Sequence, residues 1–223
     1  MCRCFPFTSN RTMAAAASSV ARRAVGKLSV NNTAFLLCDI QERFIPLIQY
    51  SATVVNTARL LTSVSKELQV PLVVTEQYRK AFGATFAECF ADPSYLTSTP
   101  VFEKKKFSMM TPEVTAHVDS LNVNSFVLFG IEAHVCLQQT CLDLLEKGQD
   151  VHVIVDACSS MKLLDRDIAF QRMHSAGAHL TTAQSAIFML LESADNPKFK
   201  TISGLVKEHA QLPNEFNQLL MKN

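Results

Sequence analysis

Six short apolar segments, rich in β-branched residues, alternate with longer amphipathic segments from residue 33 onward, and this alternation constrains the fold most. The apolar segments are 34–38, 72–75, 101–104, 125–129, 151–155 and 179–182. They are apolar nearly throughout, as is typical of strands that are covered on both faces. Six βα alternations predict an α/β fold: a three-layer αβα sandwich around a six-stranded parallel sheet, of Rossmann-like type.

Helical spacing and helix-end residues mark the segments between the predicted strands. Apolar residues recur at helical spacing over 54–68, and Thr111 followed by proline is typical of a helix start. Two further helices, 136–147 and 165–176, are each followed by a glycine that can end them. No repeat, linker or break in composition divides the body. We therefore predict one domain, residues 31–208.

The ends of the chain are predicted to be separate segments. Residues 209–223 form a C-terminal tail, within a stretch from residue 198 that predicts one or two short helices. Residues 1–30 form a leader rich in Ala, Ser and Arg and free of acids, which is the composition of a mitochondrial transit peptide. A disordered tail and initiation at Met13 are the alternatives. We expect a mitochondrial protein, or otherwise a cytoplasmic one.

The net charge of +1 conceals an uneven distribution along the chain. Five of the 21 Lys and Arg residues precede Asp39, and all 20 Asp and Glu residues lie at or after it, so the leader carries +5 and the rest −4. An acidic body has no general attraction to nucleic acid. No apolar stretch approaches the ~18 to 20 residues of a membrane span. Neither nucleic acid nor a membrane is expected as a partner.

The seven cysteines are odd in number, scattered, and never in a CxxC pair. This usage indicates a reducing compartment with mostly buried thiols rather than a disulfide framework. Cys2 and Cys4 lie in the leader and are too isolated to make a zinc site. Cys38, Cys141 and Cys158 are predicted to be inert buried thiols.

Three predicted strands end in side chains that can carry chemistry, and ligands of open parallel sheets bind beyond the carboxyl ends of the strands. Asp39 follows the first strand, Lys104 ends the third, and Cys136 opens the helix after the fourth. A helix N-terminus favours a thiolate, and a carboxylate can accept the thiol proton. Backbone N–H groups in the preceding turn can hold an oxyanion. The alternative is that Cys136 is a buried, inert thiol.

Lys104 belongs to the run EKKK, which would ordinarily be a solvated strand end. Asp39, however, ends a strand that is expected to be central, where an unpaired carboxylate is costly. We therefore predict that Lys104 is the partner of Asp39.

The motifs around these three residues resemble the isochorismatase-like cysteine hydrolase superfamily. Asp39 stands in a DIQ..F context, Lys104 in K...S, and Cys136 in GIEAHVCLQQT, and the resemblance covers about residues 30–208. Four further segments are similar to one branch, the small eukaryotic isochorismatase domain-containing proteins. They are TEQY at 75–78, GAT at 83–85, FSM at 107–109 and VDACSS at 155–160.

The resemblance implies an activity and its residues. Asp39, Lys104 and Cys136 would form a catalytic triad that hydrolyses a small amide or related C–N bond through a thioester. A non-proline cis peptide would join Ile131 to Glu132. The oxyanion hole would be the backbone N–H groups of Glu132 and Cys136. Relatives form dimers and larger assemblies, so the resemblance also implies a homo-oligomer.

Differences from other members of the superfamily argue against a metal site and against isochorismate as the substrate. Nicotinamidases carry a D.H..H metal-binding pattern after the second strand, whereas residues 76–80 here read EQYRK. Isochorismatases proper lack the nucleophilic cysteine that Cys136 would supply. We therefore expect no metal and no cofactor, and a small-molecule substrate other than isochorismate.

Side chains near the proposed site are candidate substrate contacts, with ordinary packing as the alternative. They are Gln41, Phe44, Gln77, Tyr78, Phe107 and His134. His174 and His179 are predicted to be structural, because no metal-ligand partners stand in register with them. No nucleotide phosphate motif occurs. Two other functions stay open: a binding or scaffold protein with little turnover, and a ribonuclease-type activity.

Overall fold

Residues 25–216 are described by this computed structural model of the chain. The predictions for residues 1–24, with Cys2, Cys4 and Met13, lie outside the described residues, as do those for residues 217–223.

The predicted strands are confirmed as one six-stranded parallel sheet. In chain order the strands are Thr33–Cys38 (β1), Leu72–Gln77 (β2), Val101–Lys104 (β3), Ser125–Gly130 (β4), Asp150–Cys158 (β5) and His179–Thr181 (β6). Their order across the sheet is β3-β2-β1-β4-β5-β6, and every neighbouring pair is parallel. The Rossmann-like three-layer prediction is therefore correct.

The strand order explains where a site can form. Every residue of β1, β2 and β4 is buried, whereas the edge strands β3 and β6 are short and partly exposed. The chain proceeds outward from β1 to β3 and then returns to β4 on the other side of β1. Such a reversal leaves a crevice at the carboxyl ends of the two central strands, β1 and β4.

Helices cover both faces of the sheet. They are Ser51–Leu68 (α1), Arg79–Phe82 (α2), Pro93–Ser98 (α3), Pro112–Ser120 (α4), Gln138–Glu146 (α5), Leu163–Ala176 (α6), Ala183–Leu191 (α7) and Phe199–His209 (α8). Helix α1 packs with α7 and α8, and α5 packs with α6. Thr111 caps α4 as predicted, since its side chain accepts the Val114 N–H. Among residues 25–216, no helix is both long enough and apolar enough to cross a membrane.

The helix that carries Cys136 begins earlier than predicted. A π-helical turn, Ala133–Leu137, precedes α5, so Cys136 lies inside the first turn rather than opening the helix. Two hydrogen bonds to carbonyl oxygens five residues earlier form this turn. The Leu137 N–H donates to Glu132 at 3.3 Å, and the Gln138 N–H donates to Ala133.

Both predicted terminal segments contact the body where the structure describes them. Leu28, in the predicted leader, is buried, and its N–H lies 3.2 Å from the sulfur of Met189 in α7. In the predicted tail, the Glu215 N–H donates to Thr53 Oγ1 at 3.1 Å. Packing on the domain thus extends beyond the bounds 31–208 at both ends.

Candidate active site

A buried ion pair joins the ends of β1 and β3. Lys104 Nζ lies 2.7 Å from Asp39 Oδ2, and their side chains are only 0% and 1% exposed. The other carboxylate oxygen, Asp39 Oδ1, accepts the Thr75 hydroxyl at 2.8 Å. The predicted pairing is confirmed, and Thr75 is a further partner of the carboxylate that sequence reasoning missed.

The Lys104 ammonium is surrounded by acceptors. Besides Asp39 it donates to Gln77 Oε1 at 2.7 Å and to the carbonyl oxygens of Phe107 at 2.8 Å and Lys106 at 3.2 Å. An ammonium has three N–H groups, so all of them are used. Burial by itself lowers the pKa of Lys104, but attraction to two nearby cysteines and to Asp39 outweighs it and raises that pKa. The group is therefore a fixed positive charge.

Cys136 and Cys38 bring two thiols to this ion pair. Cys136, in the turn after β4, is 6% exposed, and Thr140 Oγ1 donates to its carbonyl oxygen at 2.7 Å. Cys38 ends β1, and its sulfur lies 3.7 Å from Asp39 Oδ2. Burial, followed by a hydrogen bond with Cys136, raises the pKa of Cys38 well above its ordinary value. The three predicted triad residues are thus neighbours, and Cys38 is a second thiol that contacts both Asp39 and Cys136.

Cys38 was predicted to be an inert buried cysteine. It is buried, but it contacts Asp39 and Cys136. The available signal was its place directly before Asp39 at the end of a central strand. The three other described cysteines, Cys89, Cys141 and Cys158, are buried as well.

Gly130 lets β1 and β4 approach one another next to the site. Its φ is +134°, and a Cβ at this position would lie 2.1 Å from the Cys38 carbonyl oxygen. The following Ile131 N–H donates to that same oxygen at 3.0 Å. The peptide bond between Ile131 and Glu132 is cis, as the family resemblance implies.

The turn from Glu132 to Leu137 contains the predicted oxyanion donors. The backbone N–H groups of Ala133, Val135 and Leu137 donate to carbonyl oxygens of the protein at 2.9, 3.1 and 3.3 Å. Those three amides are engaged. The N–H groups of Glu132 and Cys136 stay the candidates for binding an oxyanion.

The two glutamines predicted to contact substrate have internal partners. Gln41 is fully buried, and its Nε2 donates to the carbonyl oxygens of Gln77 and Gly83 at 3.1 and 2.7 Å. Gln41 Oε1 accepts the Gln77 N–H at 2.7 Å. Gln77 Nε2 in turn donates to the Lys105 carbonyl oxygen at 3.0 Å. Both side chains hold the framework of the site, and their contact with substrate stays a prediction.

The predicted aromatic contacts divide into two exposed rings and one packed ring. Tyr78 and Phe107 are 41% and 52% exposed, and both are tied to Lys104 through their backbones. Phe44 instead stacks on Phe82 with ring centroids 4.4 Å apart. Tyr78 and Phe107 are therefore more exposed than the partly buried Phe44, and contact of any of the three rings with substrate stays a prediction.

His134 lies on the turn before Cys136 and is partly exposed. Its Nδ1 lies 3.1 Å from Ser160 Oγ and 3.5 Å from Glu132 Oε2, and its Nε2 lies 3.9 Å from Asp165 Oδ2. This polar cluster ties the turn to the segment after β5. Its contact with substrate stays a prediction.

The other predicted histidines lie away from the ion pair. His179 in β6 stacks on His152 in β5, with centroids 4.9 Å apart, and His174 lies in the last turn of α6. Within residues 25–216, no group of three or more His, Cys, Asp or Glu side chains is placed to hold a metal ion.

Comparisons with known proteins agree on one family. The isochorismatase domain model matches residues 33–185. The chain is 43% identical to the secreted isochorismatase effector Isc1 of Phytophthora sojae over 205 residues, covering 91% of this chain and 97% of that protein. It is 40% identical to isochorismatase domain-containing protein 2 of Xenopus laevis over 189 residues, covering 84% and 90%.

A solved structure gives the same result at the level of the fold. It is described as the MAR1 ribonuclease of Caenorhabditis elegans and superposes with a TM-score of 0.76. The two chains are 39% identical, and the match covers 84% of this chain and 97% of the other.

Proposed function

This chain belongs to the isochorismatase family, and we propose that within it the protein is a cysteine hydrolase that cleaves a small amide or a related C–N bond. The observation that supports the proposal most is the buried Asp39–Lys104 ion pair beside the thiol of Cys136. Such a cluster supplies a nucleophile, a proton acceptor and a fixed positive charge in one water-poor place.

Acylation is the first half of the proposed reaction. The Asp39 carboxylate takes the thiol proton of Cys136, and the Lys104 ammonium stabilises the thiolate. The sulfur attacks the carbonyl carbon, and the oxygen becomes an oxyanion that the N–H groups of Glu132 and Cys136 bind. When the C–N bond breaks, Asp39 returns its proton to the departing amine. A thioester is left on Cys136.

Deacylation restores the enzyme. Water attacks the thioester carbonyl and gives a proton to Asp39, and the oxyanion forms again at the same N–H groups. As the C–S bond breaks, the acid product leaves and the proton passes from Asp39 to the thiolate of Cys136. The cycle needs no cofactor, and the exposed rings of Tyr78 and Phe107 are suited to contact a small substrate.

Ammonia release from a panel of small carboxamides tests this function. Wild type and Cys136→Ala are compared, with Cys141→Ala as the matched control. Cys141 follows Cys136 by little more than one helical turn, and burial raises its pKa to about 12. We expect release by wild type and the control and none by Cys136→Ala. Equal release by Cys136→Ala would contradict the proposal.

The alternative of a binding or scaffold protein differs in the reactivity of the thiol. It predicts no turnover of any carboxamide and an alkylation rate at Cys136 no faster at neutral pH than that of a free cysteine. The hydrolase predicts turnover together with faster alkylation at neutral pH.

A ribonuclease-type activity is the second candidate, because a 39% identical protein of the same fold is described as a ribonuclease. The net charge of −4 from Asp39 onward opposes it. It predicts RNA cleavage by wild type and RNA binding that weakens steeply with salt. Absent or salt-independent binding would remove this candidate.

Assembly and location complete the proposal. We propose a homo-oligomer, a dimer or larger, and delivery to mitochondria by leader residues 1–30. Sedimentation velocity tests the first, and a monomer at micromolar concentration would contradict it. A fluorescent fusion with and without residues 1–27 tests the second. Cytoplasmic fluorescence from both fusions would overturn it.

A further inference from the structure

Arg166, in α6, is a buried cation that the proposed chemistry does not use. Its guanidinium lies between the rings of Phe170 and Phe216, 4.5 and 4.3 Å from their centroids. Its side chain is 8% exposed, while the carboxylate it meets, Asp167 at 3.3 Å, is 57% exposed. Burial lowers the pKa of Arg166 from its ordinary value, so keeping the charge there has a cost.

The guanidinium contacts the end of β5 with two donors. Arg166 Nε donates to the Cys158 carbonyl oxygen at 2.9 Å, and Nη2 donates to the Val155 carbonyl oxygen at 2.6 Å. The two carbonyls are three residues apart, yet one rigid planar group binds both. The backbone between them therefore departs from the regular geometry of a strand, in which carbonyls three residues apart point to opposite sides.

The register of β5 against β4 shows this irregularity of the backbone. Leu128 pairs with Val153, but Gly130, only two residues later, pairs with Cys158. Residues 154–157 thus form a bulge opposite a single residue of β4. Arg166 joins a carbonyl inside this bulge, that of Val155, to the carbonyl directly after it, that of Cys158.

The residues after the bulge hold the turn that carries the proposed oxyanion donors. Cys158 pairs with Gly130, and the Ser159 carbonyl oxygen accepts the Ala133 N–H at 2.9 Å. The Met161 N–H donates to Glu132 Oε2 at 3.0 Å. The position of the turn therefore depends on the position of residues 158–161.

We propose that Arg166 is a positioning residue, which fixes the β5 bulge and through it aligns the backbone N–H groups of Glu132 and Cys136 with the oxyanion. The inference rests on the proposed function. Alignment matters because a displacement of ~1 Å at an oxyanion site can cost about 100-fold in rate. Lysine cannot replace this arginine, since an ammonium lacks the planar fork.

Two reactions at Cys136 separate positioning from general damage. Acetylation by p-nitrophenyl acetate passes through an oxyanion, whereas alkylation by iodoacetamide displaces iodide at carbon and forms none. Both rates are measured by peptide mass spectrometry at Cys136, in wild type and in Arg166→Lys. Arg172→Lys is the matched control, because Arg172 is exposed on the same helix.

We expect Arg166→Lys to slow acetylation by about 10- to 100-fold and to change alkylation by less than about threefold, while Arg172→Lys changes neither. An unchanged acetylation rate, or an equal fall in both rates, would overturn the inference. A wild type that is alkylated but never acetylated would instead refute the proposed function, and the inference with it.

Phe216→Leu keeps the inference testable if Arg166→Lys does not fold. It removes one stacked ring and leaves the guanidinium and its two acceptors in place. We expect acetylation to slow several-fold, because the guanidinium is held less firmly but keeps both acceptors. Alkylation should stay within about twofold of the wild-type rate. Acetylation at the wild-type rate would overturn the inference.

Discussion

The two ends of the parallel sheet differ in the hydrogen-bond partners of their buried polar side chains. At the carboxyl end, Asp39 and Lys104 contact each other and further partners. At the amino end, His152 Nε2 is buried with no hydrogen-bond partner among residues 25–216, and its ring stacks on His179. At the carboxyl end, where reactive groups must be held in place, hydrogen bonds and the ion pair therefore offset the cost of burying polar groups. At the amino end that cost is not offset, and it lowers stability.

This contrast is sharpest along β5, because one strand reaches both environments. Near its start lies His152, with its unpartnered nitrogen. At its end, the carbonyl oxygens of Val155 and Cys158 both accept from Arg166. Substitutions at the carboxyl end should cost stability and activity together, whereas the amino end should tolerate them.

Lys104→Met tests the carboxyl end with the largest expected effect. It leaves the Asp39 carboxylate buried without its cationic partner, and only neutral donors, the Thr75 hydroxyl and the Cys38 thiol, still contact it. The free energy of unfolding should therefore fall by about 3–5 kcal/mol. Acetylation of Cys136 should slow by at least about 100-fold. Urea unfolding and the acetylation rate measure the two effects.

Lys105→Met is the matched control for that variant. The Lys105 side chain is exposed and lies over the Tyr78 ring, 5.5 Å from its centroid. Its loss should change the free energy of unfolding by less than about 1 kcal/mol. An equal fall in the free energy of unfolding in both variants would contradict the distinction between a buried and a solvated lysine in the same run.

Gly130→Ala should have the next largest effect. The new Cβ would meet the Cys38 carbonyl oxygen at 2.1 Å, at a φ of +134°, so β1 and β4 must separate. We expect a loss of about 3 kcal/mol. Gly204→Ala, in α8 with open space around its Cβ position, should instead gain about 0.5–1 kcal/mol. Thermal unfolding distinguishes these signs, and wild-type stability for Gly130→Ala would contradict the close approach.

His152→Phe tests the amino end. Burial, with a smaller contribution from His179, lowers the pKa of His152 from 6.5 to about 4. The unfolded chain therefore takes up a proton near pH 6.5 that the folded chain accepts only near pH 4, and wild type loses stability as pH falls between these values.

The phenylalanine variant should remove that loss. We expect a gain of about 1 kcal/mol at pH 7 from the unpartnered nitrogen, a larger gain at pH 5, and unchanged acetylation of Cys136. Urea unfolding of both proteins at the two pH values measures the difference. A difference that does not grow on acidification would contradict the assignment of this titration to His152.

Patterns local in sequence predicted most of the fold. Apolar segments located all six strands, and Thr111 located a helix start. The rule that ligands bind at strand ends brought Asp39, Lys104 and Cys136 together, because the carboxyl ends of parallel strands share one edge.

Contacts between distant residues could not be predicted in this way. Lys104 donates to the side-chain oxygen of Gln77, and Arg166 donates to the Val155 carbonyl oxygen in the β5 bulge. Neither contact leaves a periodic pattern in the sequence. The π-helical turn at Cys136 is formed by hydrogen bonds to carbonyl oxygens five residues earlier, and a difference of three residues in helix start lies below what residue spacing resolves.

A thioester at Cys136 is the central claim, and its direct detection is the decisive measurement. Wild type, Cys136→Ala and Cys141→Ala are mixed with p-nitrophenyl acetate, quenched in acid, digested and analysed by peptide mass spectrometry. We predict one acetyl group on the peptide of Cys136 in wild type and in Cys141→Ala, and no cysteine acetylation in Cys136→Ala among residues 25–216. Acetylation of Cys38 in place of Cys136, or hydrolysis of carboxamides with Cys136 absent, would contradict the account.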